Sequence, residues 1–130
     1  MIKKDSLGDR MKGFENAFRT SLPGRMPVIL RLDGKAFHSY TRKFEKPYDV
    51  KIRDAFIFAT DLLFQEVQGL KVSYQQSDEL TLLLTNYETF ETQSWFMNNI
   101  QKMVSVSASI ITAGFNQFMF ENKFNNKIGK

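Results

Sequence analysis

The stretch LKVSYQQSDELTLLL, residues 70–84, alternates between apolar and polar residues on both sides of a short acidic turn. Apolar and aromatic side chains alternate with polar ones over 70–75, and the alternation resumes with leucines at positions 80, 82 and 84. A period of two residues is typical of a β-strand that buries one face. The stretch therefore predicts a β-hairpin with Ser77, Asp78 and Glu79 at its turn.

A helix and a strand are predicted on the N-terminal side of this hairpin. Apolar residues recur after Asp49 with the 3.6-residue period of an amphipathic helix, and the pattern ends at Gly69. Asp is a favoured N-cap residue, and Gly is favoured just after a helix. Further upstream, the apolar run VILRL at 28–32 precedes Asp33 and Gly34, which predicts a buried strand that ends on a carboxylate.

Two more helices are predicted towards the ends of the chain. Residues 14–22 show a short helical pattern that stops at Pro23, and the polar residues before them predict a loose segment or a short helix. Residues 89–118 predict a second long helix. Its small side chains would let it lie close to a sheet, and they are Ser105, Ser107, Ala108 and Ser109. Its inward-facing residues are expected to be Phe96, Ile100, Met103, Ile110, Ile111, Gly114 and Phe118.

The order strand, helix, strand, strand, helix is that of a split β-α-β arrangement. A right-handed crossover makes the first two strands parallel with a gap, and the third strand fills that gap antiparallel to both. The expected fold class is α+β, with a ferredoxin-like antiparallel sheet and two long helices packed on one face. Asp33 and the pair Asp78 and Glu79 should then converge at one edge of the sheet, and the final strand of the pattern is missing.

Converging carboxylates repel one another unless a cation lies between them. Mg²⁺ takes oxygen ligands, binds through one or two carboxylates and uses substrate phosphates as further ligands, so this edge suits phosphoryl or nucleotidyl transfer. Gly34 permits close backbone approach, and the amides of Lys35, Ala36 and Phe37 could form an anion-binding nest. Side-chain donors for phosphate are Arg31, Lys35, His38, Lys46 and Lys102.

The composition limits the chemistry further. The 130 residues suit one domain, and 42% hydrophobic with 25% charged residues is typical of a soluble globular protein. The chain has no Cys and one His, which excludes disulfides, a thiolate zinc site, a cysteine nucleophile and a histidine-pair metal site. The net charge of +4 combines basic flanks with an acidic middle, which suits a protein that meets phosphates and holds a divalent cation.

Each of these features also has a purely structural interpretation. Asp33-Gly34 and Ser77–Glu79 are common turn sequences, and His38 suits a satisfied structural histidine. Asp49 suits a helix cap, and the many Phe residues suit a core better than base-stacking platforms. No stretch is expected to reach the roughly 20 apolar residues of a membrane span, and the N-terminus lacks a signal-peptide pattern, so the expected location is cytoplasmic without membrane contact.

Three ordered motifs resemble the signatures of the tRNA-histidine guanylyltransferase family. They are RLDGKAFHSY at 31–40, FEKPYD at 44–49 and YQQSDE at 74–79. The resemblance is greater to the bacterial, archaeal and phage-type relatives, the 3′-5′ polymerases, and covers residues 28–118. It implies a palm fold shared with ordinary polymerases and nucleotide cyclases, preceded by an N-terminal helical extension at 1–27 and followed by a tail at 119–130.

The resemblance also implies roles for individual residues. Asp33 and Asp78 would be the metal ligands, helped by the Gly34 carbonyl, with Glu79 close by. The residues implied to contact the nucleotide or its phosphates are His38, Lys46, Asp49 and Ser77, and Lys102 would bind an incoming triphosphate. Two Mg²⁺ ions would serve the attack of a nucleotide 3′-hydroxyl on the activated 5′ end of a tRNA, with GTP and ATP as substrates.

The sequence also departs from the family pattern. Asn98 and Asn99 stand where the family usually has basic residues, and the family continues beyond residue 130 with further strands, so the palm domain is expected to be truncated at its C-terminus. The resemblance implies a homo-oligomer, a dimer or a tetramer. Two alternatives stay open, a catalytically silent nucleotide- or RNA-binding remnant and another palm-fold enzyme such as a nucleotide cyclase.

Overall fold

Three strands form an antiparallel sheet in the order β1-β3-β2. The strands are β1 (Val28–Asp33), β2 (Leu70–Gln76) and β3 (Glu79–Leu84). The structure is a computed structural model that describes residues 6–42, 44 and 49–128, the side chains of 123–128 excepted. Because β3 pairs antiparallel with both neighbours, β1 and β2 are parallel with β3 between them, which confirms the predicted topology.

The two longest helices cover one face of this sheet. In chain order the helices are α1 (Leu7–Asn16), α2 (Phe37–Thr41), α3 (Val50–Glu66) and α4 (Ile100–Ile128), and a 3₁₀ helix spans Trp95–Asn98. Alternate residues of β1 and β3 point into a core shared with α3 and α4, and this core contains Val28, Leu30, Leu63, Val67, Leu80, Leu82, Leu84, Trp95 and Met103. The α+β class with both long helices on one face is confirmed.

The two long helices approach each other closely at Gly114. A Cβ atom built on this glycine would lie 2.8 Å from Leu62 Cδ1 and 3.0 Å from Ala59 Cα. Only a residue without a side chain lets the α4 backbone come this near to α3. The small residues of both helices therefore set their separation, and Gly114 faces inward as predicted.

Local signals set the ends of α3 as predicted. Asp49 is its N-cap, and Oδ1 accepts hydrogen bonds from the backbone N–H groups of Lys51 at 2.8 Å and Ile52 at 3.2 Å. Gly69, at φ +82°, turns the chain into β2, and a Cβ there would lie 2.5 Å from the carbonyl oxygen of Thr85. Glycine is required at this turn by both conformation and space.

The second long helix begins later than predicted. Residues 89–94 are not helical, Phe96 is 38% exposed rather than inward-facing, and α4 begins at Ile100. Phe96, Met97 and Asn98 adopt φ values of 49°, 52° and 57°, a left-handed turn that cannot continue a right-handed helix. The side chain of Asn99 then accepts a hydrogen bond from Lys102 N at 3.0 Å, so the helix starts there.

Both ends of the chain also differ from expectation. The N-terminal helix spans Leu7–Asn16 instead of 14–22, because Ser6 caps it by accepting a hydrogen bond from Asp9 N, and none of its residues is buried. Phe18, which lies within the predicted helix 14–22, is 90% exposed. At the other end α4 continues to Ile128, across the expected boundary between the palm core and the tail.

The segment Ile100–Asn122 of α4 is long and apolar enough, by length and composition alone, to cross a membrane. The expectation that no stretch approaches this composition is therefore wrong. The same helix buries Met103, Phe115 and Met119 in the two apolar clusters that it forms with the sheet and α3. Packing of this kind also explains an apolar composition, because a core helix needs a wide apolar face.

An ion pair holds the loop that follows β3. The Glu88 carboxylate accepts a hydrogen bond from Thr85 Oγ1 and lies 3.2 Å from Lys71 Nζ. The Thr85 hydroxyl, first, and then the Glu88 backbone amide and Lys71 lower the pKa of Glu88 to about 2.

Because the pKa of Glu88 is lower in the folded chain, its stabilising contribution is present above the unfolded value and is lost as the pH falls towards 2. An NMR titration should place the Glu88 midpoint near pH 2, and Thr85→Val should raise it. A midpoint near the ordinary glutamate value of about 4.3 in the unchanged protein would contradict these contacts.

Candidate active site

The acidic residues of β1 and of the hairpin turn meet at one end of the sheet. Asp33, the last residue of β1, is directly opposite Glu79, the first residue of β3. Next to this pair, the N–H of Gly34 donates a hydrogen bond to the carbonyl oxygen of Asp78 at 3.1 Å. The structure thus brings the pair Asp33-Gly34 together with the pair Asp78-Glu79, which lies 44 or more positions later in the chain.

Arg31 pairs with Glu79 on the open face of the sheet. Its guanidinium Nη2 forms a hydrogen-bonded ion pair with Glu79 Oε2. This hydrogen bond, and then the charges of Glu79 and Asp33, raise the pKa of Arg31. Like charges directly opposite on neighbouring strands are unfavourable, so Arg31 offsets the repulsion between Asp33 and Glu79. The sequence indicated Arg31 as a phosphate donor but gave no signal for this pair, because it depends on strand register.

Aromatic rings of α3 and α4 pack against the turn that follows β1. The Phe37 ring lies 5.7 Å from Phe56 and 5.6 Å from Phe115, measured between ring centroids, and these rings belong to α3 and α4. A Cβ at Gly34 would lie 2.7 Å from the Phe37 ring, so glycine gives this ring its space. Ala36, at φ 51°, turns the chain into the short helix α2. Phe37 is therefore a packing residue whose side chain fixes the turn beside Asp33.

The polar candidates around this turn are solvent-accessible. Lys35 and His38 are exposed on the segment after β1, and Ser77, at φ 55°, is exposed in the hairpin turn. Asp49 acts as the cap of α3, which supports its structural interpretation. Lys46 lies outside the described residues.

Lys102 is not brought to this end of the sheet. It is in the first turn of α4, where Nζ lies 5.6 Å from the centroid of the Phe96 ring. Thirteen residues later, Phe115 contacts Phe37 beside the carboxylates. At a rise of 1.5 Å per residue, Lys102 and Phe115 are separated by about 20 Å along α4. The helix runs from the far end of β3 back towards the carboxylates, so Lys102 lies at the opposite end. Within one chain, Lys102 is thus remote from Asp33.

A family model described as tRNAHis guanylyltransferase matches residues 8–129. The chain belongs to the tRNA-histidine guanylyltransferase family. A solved structure of a bacterial tRNA(His) guanylyltransferase-like protein in complex with GTP is 54% identical, with a TM-score of 0.83 over 88% of this chain and 55% of that one. A second, in complex with ATP, is 52% identical, with a TM-score of 0.85 over 91% of this chain and 52% of that one.

Sequence relatives in the guanylyltransferase family include the tRNA(His) guanylyltransferase of Schizosaccharomyces pombe. It is 30% identical over 91 residues, which are 68% of this chain and 33% of that protein. The chain thus spans from about a third to about half of the length of these family members. The expected family and the palm-like fold are both confirmed.

The metal donors available at this end of the sheet are oxygen atoms. Within residues 6–42, 44 and 49–128, no three histidine or carboxylate side chains are close enough together to hold a metal ion without other ligands. Asp33 and Glu79 face each other, and a backbone hydrogen bond joins Gly34 and Asp78 at the same end of the sheet. Mg²⁺ commonly takes only one or two carboxylates and completes its shell with water and phosphates. These residues therefore fit Mg²⁺ as part of a shell that a nucleotide would complete.

Asp49 allows a test that separates capping from nucleotide contact. Asp49→Ser keeps an N-cap oxygen and should leave the free energy of unfolding nearly unchanged, whereas Asp49→Ala should lower it by about 1 kcal/mol. Urea denaturation of both variants measures this difference. Equal loss of stability in the two variants would contradict the cap, and weaker GTP binding by a fully stable Asp49→Ser would assign the residue to the nucleotide site as well.

Proposed function

We propose that this chain is the catalytic palm portion of an enzyme that adds GMP or another nucleotide to the 5′ end of a tRNA, in the 3′-5′ direction. The observation that carries the proposal is the register of β1 and β3, which puts Asp33 opposite Glu79 and Gly34 beside Asp78. Relatives that bind GTP and ATP, at more than 50% identity, support nucleotides as the substrates. Repair of shortened tRNA ends would use the same chemistry.

Two Mg²⁺ ions would be held by the carboxylates of Asp33 and Asp78 and by the Gly34 carbonyl. When bound, such ions lower the pKa of the attacking 3′-hydroxyl and neutralise the leaving pyrophosphate. In the absence of cations, the positive charge of Arg31 offsets the negative charge of the carboxylates, since its guanidinium pairs with Glu79. The exposed Lys35, His38 and Ser77 surround this edge and would bind and orient the phosphates, together with the amides of the Ala36 turn.

The chain itself supplies no nucleophile to this reaction. The 3′-hydroxyl of the incoming nucleotide loses its proton and attacks the α-phosphate of a 5′-triphosphorylated RNA, the new phosphodiester bond forms, the bond between the α- and β-phosphates breaks, and pyrophosphate leaves. Positioning and charge compensation are therefore the tasks of the protein. Phe115 packs on Phe37 beside the carboxylates, and Lys102 lies about 20 Å from Phe115 along α4. Lys102 would therefore contribute to a triphosphate site only from another subunit. A cytoplasmic homo-oligomer, a dimer or a tetramer, belongs to the same proposal.

A thermal-shift titration with GTP or ATP tests the site directly. Nucleotide at 100 times its dissociation constant should add about 2.7 kcal/mol of stability when Mg²⁺ or Mn²⁺ is present. The gain should vanish without the divalent cation and in Asp33→Asn and Asp78→Asn. Metal-independent stabilisation that persists in both variants would contradict the proposed carboxylate site.

The RNA substrate needs a separate assay. Incorporation of labelled GTP into a 5′-triphosphorylated tRNA tests nucleotidyl transfer, and the same mixture without tRNA tests for cyclic nucleotide formation. Transfer that requires tRNA supports the proposal. Cyclic product without tRNA would assign a cyclase, and metal-dependent binding without turnover would indicate a silent remnant.

A further inference from the structure

The face of the sheet that α3 and α4 leave open carries ordered rows of side chains. Directly opposite residues of an antiparallel sheet point to the same side, and successive residues of one strand point to opposite sides. Because Leu80 and Leu82 of β3 are buried against the helices, the residues on either side of each point away from the helices. Two rows follow the row of Asp33 and Glu79, and they are Arg31, Thr81 and Tyr74, then Ile29, Leu83 and Val72.

The chemistry of this open face changes with distance from the carboxylates. The row of Asp33 and Glu79 is acidic, the next or middle row has an arginine, a threonine and a tyrosine, and the third or apolar row has aliphatic side chains. Neighbouring rows are two residues apart along each strand, which is about 7 Å. Tyr74 is 63% exposed, and Ile29 and Val72 are exposed as well. Exposed apolar surface next to polar groups is typical of an interaction site.

The Tyr74 ring is the flat surface of the middle row. Arg31 in the same row directs its guanidinium to Glu79 in the acidic row. Thr81 lies between Arg31 and Tyr74, because β3 is the central strand. Tyr74 therefore lies one row, about 7 Å, from the row that would hold the metal ions. A nucleotide spans a similar distance from its phosphate to its base, so a phosphate at the metals would bring its base to this ring.

An RNA strand fits this surface better than a free nucleotide or a second copy of the chain. Aromatic side chains bind unpaired RNA bases by stacking. A free nucleotide has one base, which would cover Tyr74 and leave the apolar row in water, whereas a strand continues with its next nucleotide across Ile29 and Val72. A second copy on this face would also cover Asp33 and Glu79, which the proposed reaction needs open to substrate.

We propose that Tyr74 binds the RNA substrate: the base of its 5′-terminal nucleotide stacks on the ring while the phosphate of that nucleotide lies at the carboxylates of Asp33 and Asp78. The next nucleotide of the strand lies on the apolar row. Stacking reads no hydrogen-bond pattern, so this contact accepts any of the four bases. The inference rests on the proposed nucleotidyl transfer, because that reaction brings an RNA 5′ end to this edge of the sheet.

The emission of a fluorescent base tests the stacking contact without any turnover. The probe is a 5′-triphosphorylated RNA stem-loop shaped like a tRNA acceptor end, whose first base is an unpaired 2-aminopurine, titrated in Mg²⁺ without GTP. Stacking on an aromatic ring quenches 2-aminopurine, so the unchanged protein should quench the probe as it binds. A second stem-loop that carries 2-aminopurine in its loop should bind with the same affinity and keep its emission.

Two substitutions at Tyr74 separate the ring from the rest of the side chain. Tyr74→Phe keeps the ring, so the affinity should stay within about twofold and the quench should remain. Tyr74→Thr removes the ring but keeps a residue that favours strands, so the affinity should fall about tenfold and the quench should disappear. Tyr87→Thr is the matched control and should change neither, because Tyr87 is a 41% exposed tyrosine beyond the opposite end of β3.

Unchanged affinity and quench in Tyr74→Thr, or no binding of the probe to the unchanged protein, overturns the inference. Weaker GTP binding by Tyr74→Thr with normal RNA binding would assign the ring to the incoming nucleotide, and a smaller sedimentation coefficient with normal RNA binding would assign it to a contact between copies. Both results overturn the inference as well.

Incorporation of labelled GTP distinguishes this failure from failure of the proposed function. Normal transfer by Tyr74→Thr at low RNA concentration overturns the inference alone. An unchanged protein that quenches the probe but transfers no GMP overturns the proposed function and leaves the stacking contact in place.

Discussion

Nucleotide addition should fall by about 10³-fold or more in Asp33→Asn and in Asp78→Asn, while both variants stay folded. Asparagine keeps the shape of aspartate but removes the charge that a hard divalent cation needs. Asp33 lies opposite Glu79, so its neutralisation also removes a like-charge repulsion across the strands. The melting temperature in EDTA should therefore be equal to or above that of the unchanged protein.

The measurements are single-turnover incorporation of labelled GTP into a 5′-triphosphorylated tRNA and the metal dependence of GTP binding. Asp61→Asn is the matched control, because Asp61 is an exposed aspartate in the middle of α3. It should keep both the rate and the metal dependence. An Asp78→Asn protein that transfers GMP at the normal rate would refute the assignment of this carboxylate to a metal.

Gly114→Val should lower the free energy of unfolding by about 2–3 kcal/mol. The first added carbon already falls 2.8 Å from Leu62 Cδ1 and 3.0 Å from the Ala59 backbone, so α4 must move away from α3. The next residue, Phe115, packs on Phe37 beside Asp33, and a displaced α4 would disturb this support. Nucleotide binding should therefore weaken together with stability.

Ala113→Val provides the comparison on the same helix. Ala113 is exposed, so the larger side chain meets solvent and should cost only the helix propensity difference of about 0.5 kcal/mol. Urea denaturation of both variants gives the two free energies. Equal losses would mean that helix propensity, rather than the close contact of α3 with α4, explains the effect at position 114.

Local patterns in the sequence predicted most of the architecture. The alternation over 70–84 gave the hairpin, the Asp49 cap and Gly69 gave the ends of α3, and the order of elements gave the β1-β3-β2 sheet. The meeting of Asp33 with Asp78 and Glu79 followed from that topology. These features could be predicted because caps, turns and periodicity act over a few residues, and because crossover handedness leaves few topologies.

The start of α4 could not be predicted in the same way. The helix was predicted to begin at residue 89, but the chain over 89–99 forms a loop and a left-handed turn. That turn is held by contacts with a segment more than 70 positions earlier, such as the hydrogen bond from Asn98 to the Pro23 carbonyl. A helical period records which residues are apolar, and it carries no information about such distant partners.

The amino-acid sequence by itself determined the class of the fold, the sheet order, the α3 helix and the edge where the carboxylates meet, because each depends on local backbone preferences and chain order. The tertiary structure alone decided two other features. These are the Arg31–Glu79 pair and the distance of Lys102 from the carboxylates. Each depends on strand register, on the direction of a helix or on long-range packing, and such contacts join residues that no local pattern connects.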